Sequence, residues 1–370
     1  MKVLYLTNIP SPYRVDFFNE LSKYCELTVV YESLVSTERN EEWVAQAQEG
    51  YKKIVLSGLR VRADARFCPG VIRFLRKNRF DIVVVGGYAT PTAMLAITVL
   101  RLKGIPFALN ADGGFVNQQE SVSKYKLKRN FISKANWWLS TGFMTSEYFS
   151  HYGADSDRIF EYPFSSIWQA EILSEPISRE QKLELRKKLN VECDKLVLSV
   201  GRFISQKGYQ GFLTEWIDKK KTGTGLIIIG GGPEEETYKS MASRHHDIWI
   251  LPFMKKRELL EYYMAADTFV LPTDGDVWGL VINEAMSFGL PVFSTTRCIA
   301  AITMKCSGIE LFEPGDSAAM IEAIETVLKT ENSSVEKDIG DVVLSCAKEY
   351  TIEKMARRHM EIFERIISER

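Results

Sequence analysis

The stretch LPTDGDVWGLVINEAMSFGLPVFST, Leu271 to Thr295, decides the fold. An apolar β-rich run, Thr268 to Leu271, leads into a loop that carries Asp274, Gly275 and Asp276. A helix then runs from about Leu280 until Gly289 and Pro291 terminate it, and Pro291 to Ser294 begins the next strand. Strand, loop, helix and strand in that order mark a parallel βαβ unit rather than a hairpin.

The same pattern recurs outward from this stretch. Upstream lie strands at Leu196 to Val200, Gly225 to Ile229 and Ile248 to Leu251, with helices between them. Before an irregular segment, Glu161 to Ser178, which holds Pro163, Pro176 and several serines, runs a second series: Val3 to Thr7, Leu27 to Tyr31, Ile54 to Leu56, Ile82 to Val85, Phe107 to Leu109 and Trp138 to Ser140. Asn8 to Arg14, with two prolines, reads as a turn, and Val15 to Ser22 as a helix. The expected organisation is a first domain over 1–165, a linker over 166–178, a second domain over 179–350 and a last helix over 351–370. The fold class is therefore α/β, with two Rossmann-like parallel-sheet domains. Facing each other across a cleft, such domains put the carboxyl ends of both sheets, where ligands bind, on opposite walls.

Composition sets the class. A chain of 370 residues exceeds what one core commonly supports, and 45% hydrophobic with 26% charged residues excludes wholesale disorder. A net charge of −1 excludes a nucleic-acid binder that works through its overall field. The six cysteines form no Cys-x-x-Cys pair and the four histidines show no ligand spacing, so no metal is expected. Ile82 to Leu100 has the length of a membrane span, but Gly86, Gly87, Thr90, Pro91 and Thr92 interrupt it, which reads as strand, loop and helix. Met1 to Leu6 is too short for the apolar core of a signal peptide, so a cytoplasmic address is expected.

Three segments of the second half can carry chemistry. LVLSVGRFISQKGY places Arg202 and Lys207 between a strand and a helix, where cations and backbone amides can meet an anion. Gly230, Gly231, Gly232, Pro233 and Glu234 follow the strand LIIIG; these glycines either let backbone approach a ligand or make a tight turn. No glycine stands three residues after Gly232, so the dinucleotide fingerprint of a dehydrogenase fails. In the opening stretch the amides of Gly279, Leu280 and Val281 face the loop, with Asp276 before them and Glu284 one turn on. Carboxylates bind diol hydroxyls and free helix amides bind phosphates, and a sugar nucleotide offers both.

With these residues the chain resembles the retaining GT-B glycosyltransferases of family four, which include bacterial capsule and O-antigen enzymes. That family carries G-R-x(n)-K-G, G-x-G-P-E and E-x(7)-E-A-M-x-x-G-x-P-V in order, matched by Gly201 to Gly208, Gly230 to Glu234 and Asp276 to Val292. The resemblance implies a hexose moved with retention from a nucleoside diphosphate sugar, a UDP-sugar, to a glycan or lipid-linked glycan, with no cofactor or metal. It implies that Arg202 and Lys207 bind the diphosphate, aided by Gly231 and the Gly279, Leu280 and Val281 amides. Glu284 would take the ribose, Asp276 the hexose, and Phe253, Met254 and Leu259 the base. It also implies that the last helix crosses back toward the first domain. Asp276 departs from the family's Glu by one methylene, and RCIAAITMK after Thr296 replaces glycines or an acid.

In the first half, NIPSPYR lacks the glycines of many relatives, which makes Tyr13 and Arg14 candidates for the acceptor, with helix capping as the alternative. LNADGGF sets Asp112 where relatives place a His or acid toward the transferred sugar; it could position or deprotonate the acceptor hydroxyl, or form a turn. Basic residues cluster at Arg60 to Arg79 and Lys124 to Lys134, and Arg73, Arg76, Lys77, Lys126 and Arg129 could contact an anionic membrane at its inner face. Two alternatives stay open: a non-catalytic partner subunit and a sugar-nucleotide epimerase on the same fold.

Overall fold

The computed structural model describes residues 1–35, 50–62, 64–117, 119–219, 223–329 and 333–370. The chain forms two compact units, one of Met1–Ser166 with Thr351–Arg370 and the other of Ile167–Tyr350.

The first unit runs β1 (Lys2–Thr7), α1 (Pro12–Leu21), β2 (Glu26–Tyr31), β3 (Lys52–Val55), a hairpin of β4 (Leu59–Arg62) and β5 (Ala65–Phe67), α2 (Gly70–Lys77), β6 (Ile82–Gly86), α3 (Pro91–Leu102), β7 (Ala108–Asn110), α4 (Val122–Ile132), β8 (Trp137–Ser140), α5 (Phe143–His151) and β9 (Ile159–Glu161). Its parallel sheet has the order β3-β2-β1-β6-β7-β8-β9. Strands such as β1, KVLYLT, are buried at every residue but the first, as expected where helices cover both faces of a sheet. Ile82 to Leu100 is indeed strand, loop and helix, and no helix among the described residues is long and apolar enough to cross a membrane.

One sequence expectation is corrected here. Asn8 to Arg14 is not all turn, because α1 already begins at Pro12. The ring fixes φ near the helical value, and its missing N–H is one that the first helical turn leaves unpaired anyway. Tyr13 and Arg14 therefore stand on the first turn of a helix.

The second unit runs α6 (Arg179–Lys188), β10 (Lys195–Val200), α7 (Tyr209–Asp218), β11 (Thr224–Ile229), α8 (Glu235–Ala242), β12 (Ile248–Leu251), α9 (Lys256–Ala265), β13 (Thr268–Leu271), α10 (Leu280–Ser287), β14 (Val292–Thr295), α11 (Ile299–Thr303), β15 (Ile309–Phe312), α12 (Ser317–Leu328) and α13 (Ser333–Ala347). Its sheet, also parallel, has the order β12-β11-β10-β13-β14-β15. The order reverses beside β10, where β10 neighbours both β11 and β13, and such switch points are where open α/β sheets bind ligands.

The last helix, α14 (Ile352–Ser368), belongs to the first unit and packs on α1. Ile352, Met355, Ala356, His359, Ile362, Phe363 and Ile366 are buried at helical spacing, the apolar stripe that such docking requires. Thr351 caps its amino end by accepting the Lys354 N–H at 3.2 Å.

Candidate functional site

In the second unit the loops after β10, β11 and β13 are stitched together. Gly208 has φ 70°, and a Cβ there would lie 2.0 Å from the Pro272 carbonyl oxygen, so only glycine lets the Lys207 turn press against the loop after β13. Thr273 Oγ1 donates to the Gln206 carbonyl at 3.0 Å, and the Asp274 N–H donates to the same oxygen at 2.9 Å. Gly230 also serves packing within the protein, since a Cβ would meet the Gly201 carbonyl oxygen at 1.8 Å. Gly231 is different: a Cβ would find only ordinary contacts beyond 3.7 Å, with Phe253 and Glu235 as neighbours.

This stitching brings Lys207 and Asp276 together as an ion pair, with side chains only 11% and 16% exposed. Asp276 Oδ1 accepts the Trp278 N–H at 3.4 Å, and the Asp276 N–H donates to the Arg297 carbonyl at 2.8 Å. RCIAAITMK contains α11, whose start is tied to this loop by the Ile299 N–H on the Asp276 carbonyl at 3.2 Å. Trp278, which sequence reading did not single out, is buried and donates to Asn283 Oδ1 at 2.8 Å, holding the loop on α10.

Leu280 begins α10, and among the described residues the amides of Gly279, Leu280 and Val281 meet no acceptor. Four residues into α10, Glu284 is half-buried and accepts the Tyr263 hydroxyl at 2.9 Å. Burial pushes its carboxyl above the ordinary range, opposed by nearby Lys256 and the Tyr263 hydroxyl. Tyr263 stacks on Phe288 at 5.3 Å, so a rigid ring orients the carboxylate; no local pattern in the sequence marks Tyr263 for that role. Arg202 is exposed and, among the described residues, makes no ion pair. Phe253 is exposed and Met254 half-buried in the loop after β12, whereas Leu259 is buried on α9.

In the first unit the three residues suggested for the acceptor converge at the carboxyl end of β7. Arg14 pairs with Asp112 Oδ1, and the Tyr13 hydroxyl donates to Asp112 Oδ2 at 3.2 Å. The expectation that Arg14 reaches an acceptor is corrected: it is 5% exposed and directed to Asp112 and to the Tyr5 hydroxyl, at 3.4 Å. Asp112 itself stays 31% exposed. Beneath the pair lies His359 of α14, fully buried against Phe17 and Tyr162; its Nδ1 bonds the Met355 carbonyl at 2.8 Å, and burial drives its pKa down to about 3.

Arg73, Arg76, Lys77, Lys126 and Arg129 are exposed. Lys128 instead turns inward to Glu120 at 2.7 Å and the Tyr152 hydroxyl at 3.1 Å. No group of three or more His, Cys, Asp or Glu among the described residues is arranged to hold a metal.

These two parallel-sheet units are the GT-B architecture. Anabaena HepE, solved in complex with UDP, superposes with a TM-score of 0.77 at 14% identity, over 99% of this chain and 100% of that one. A second HepE structure, in complex with UDP-glucose, gives 0.73 at 15% over the whole of both. Residues 181–339, all within the second unit, match the family Glycosyl transferases group 1. An uncharacterized glycosyltransferase of Haemophilus influenzae is 26% identical over 200 residues, 51% of this chain and 56% of its own. The sulfoquinovosyl transferase SQD2 of Arabidopsis thaliana is 26% identical over 202 residues, 50% of this chain and 36% of its own. The matches thus span less than two thirds of these relatives' length.

Proposed function

We propose that the protein is a retaining hexosyltransferase. It moves a hexose from a nucleoside diphosphate sugar, a UDP-sugar, to a hydroxyl of a glycan or lipid-linked glycan in surface polysaccharide synthesis. The carrying observation is the Lys207–Asp276 pair beside the acceptor-free amides that open α10, with Glu284 held by Tyr263 one turn on. A cation and free helix amides suit a diphosphate, and two carboxylates suit ribose and hexose hydroxyls. HepE's complexes with UDP and UDP-glucose support the same donor class.

In this reading the bond from the anomeric carbon to the diphosphate breaks and the acceptor oxygen bonds to the same face. The acceptor proton leaves to a phosphate oxygen or to Asp112. Arg202, Lys207 and the α10 amides meet the charge that develops on the diphosphate, the task a divalent metal performs elsewhere. Phe253 and Met254 offer an apolar and partly open surface to the base. The protein works in the cytoplasm, and its exposed Arg73, Arg76, Lys77, Lys126 and Arg129 attach it peripherally to an anionic leaflet.

The test is incubation with UDP-glucose, UDP-galactose, UDP-N-acetylglucosamine or GDP-mannose, with and without octyl glycosides and a polyprenyl-diphosphate-linked sugar, followed by chromatography of nucleotide and product. Acceptor-dependent release of UDP with an α-linked product from an α-donor is expected. Release from no donor marks a non-catalytic partner subunit, and donor conversion without acceptor marks an epimerase.

A further inference from the structure

Arg14 carries a full charge at 5% exposure, and a buried guanidinium is tolerated only when its charge and its N–H groups are met. The surroundings do more than meet them. The guanidinium lies 5.6 Å from the Phe164 ring centre and 5.7 Å from that of Tyr5, and it binds Asp112 Oδ1. Asn110 Nδ2 donates to the same oxygen at 3.1 Å. The Asn110 amide cannot turn over, because its own oxygen accepts the Tyr5 hydroxyl at 2.5 Å and the Tyr162 hydroxyl at 3.1 Å. One carboxylate oxygen of Asp112 is thus locked from beneath by two donors, each held by a further shell of rings and hydroxyls. The side chain nonetheless remains 31% exposed at the carboxyl end of a central strand, where parallel sheets bind ligands. Stability alone does not call for this arrangement, since well-packed apolar groups often replace a buried ion pair without loss.

We propose that Arg14, with Asn110, is a positioning residue: it fixes the Asp112 carboxylate so that Oδ2, which accepts the Tyr13 hydroxyl at 3.2 Å, also receives the hydroxyl of the sugar acceptor on its remaining lone pair. Arg14 acts through Asp112 and does not touch substrate. This rests on the transferase reading above, in which Asp112 meets the acceptor.

The experiment is a pair of double-mutant cycles on Arg14→Lys and Asp112→Asn in the full chain. One reads kcat and donor KM for transfer to whichever octyl glycoside serves the parent, and the other reads the urea midpoint without substrate. Lysine keeps the charge but loses the planar fork. Arg14→Lys should lower kcat by roughly 10²-fold, the scale for a misplacement of about 1 Å, and leave donor KM within twofold. In the Asp112→Asn background the same change should lower kcat less than about threefold, and the urea midpoints should likewise be non-additive. Tyr5→Phe, which keeps the ring and removes the hydroxyl on Asn110, should lower kcat several-fold with an unchanged fold. Additive losses in kcat overturn the proposal, as does an unchanged kcat in Tyr5→Phe should Arg14→Lys fail to fold. A parent that transfers sugar to no acceptor refutes the transferase reading instead, while the urea cycle still reports the pair.

Discussion

Replacing Gly208 with alanine should destabilise the second unit and weaken its donor site in the same stroke. At φ 70° the backbone is left-handed, which costs an L-residue roughly 1–2 kcal/mol. The new Cβ would sit 2.0 Å from the Pro272 carbonyl oxygen, more than about 1 Å inside ordinary contact, and the obstacle is backbone that no rotamer change can move. Forcing the loops apart adds about 1–3 kcal/mol, the range for overpacking. The total, about 2–5 kcal/mol, corresponds to a fall in melting temperature of roughly 5–15 °C for a domain of this size. The same parting displaces Lys207, and loss of one charge-assisted contact, about 1.5–3 kcal/mol, should weaken UDP binding roughly 10- to 100-fold. Circular dichroism melting and calorimetric titration with UDP give the two readouts. A melting temperature within 1 °C of the parent together with UDP affinity within twofold would refute the reasoning, because the loops would then have room that the geometry denies them.

Three further outcomes follow. Lys207→Ala and Arg202→Ala should each slow transfer by roughly 10²-fold or more, as loss of one preorganised stabiliser of developing charge does; rates within threefold of the parent would remove either residue from the site. His359 has its folded pKa depressed from 6.5 to about 3, so the unfolded chain binds the extra proton. Its contribution is intact above pH 6.5 and is lost as pH falls toward 3, by up to about 1.4 kcal/mol per unit. The urea midpoint of His359→Phe should therefore fall less steeply between pH 6.5 and 4.5, and parallel slopes would contradict this. Flotation with anionic liposomes should recover the protein, less so as salt rises, and should drop when Arg73, Arg76, Lys77, Lys126 and Arg129 become Gln; equal recovery with neutral liposomes would reject membrane attachment.

The strands were legible because a parallel sheet covered on both faces writes itself as short unbroken apolar runs, as in LIIIG before Gly231. β9, IFE, and β15, IELF, were not: each is short and carries an acid within or at its end. The hairpin of β4 and β5 was missed for a related reason, since β4 is exposed at every residue and shows no alternation of inner and outer faces. At α1 the prolines suit a turn as well as a helix start, and the second sits where a helix welcomes it.

The candidate site divides along a similar line, between what neighbours in sequence and what neighbours only in space. Asp276, Gly279 and Glu284 follow one another on a loop and its helix, so spacing alone aligns them. Lys207 and Asp276 are 69 positions apart, and Arg14 and Asp112 are 98 apart; in both cases each residue carries a signal in the sequence and the pairing carries none. Charge tells which ligand a residue could take, but its partner decides whether it is available. Arg14 looked like a cation for an acceptor and is enclosed with a carboxylate that does reach solvent. Lys207 looked like a bare cation for a diphosphate and is neutralised by Asp276 at rest. In the proposed reaction an incoming diphosphate sugar therefore meets a preformed pair whose two members take two parts of one ligand, and it must loosen their attraction to bind. Because low exposure strengthens that attraction, a change at Asp276 that weakens it while leaving Lys207 in place should raise UDP affinity in calorimetric titration, whereas parting the loops displaces Lys207 itself and lowers it.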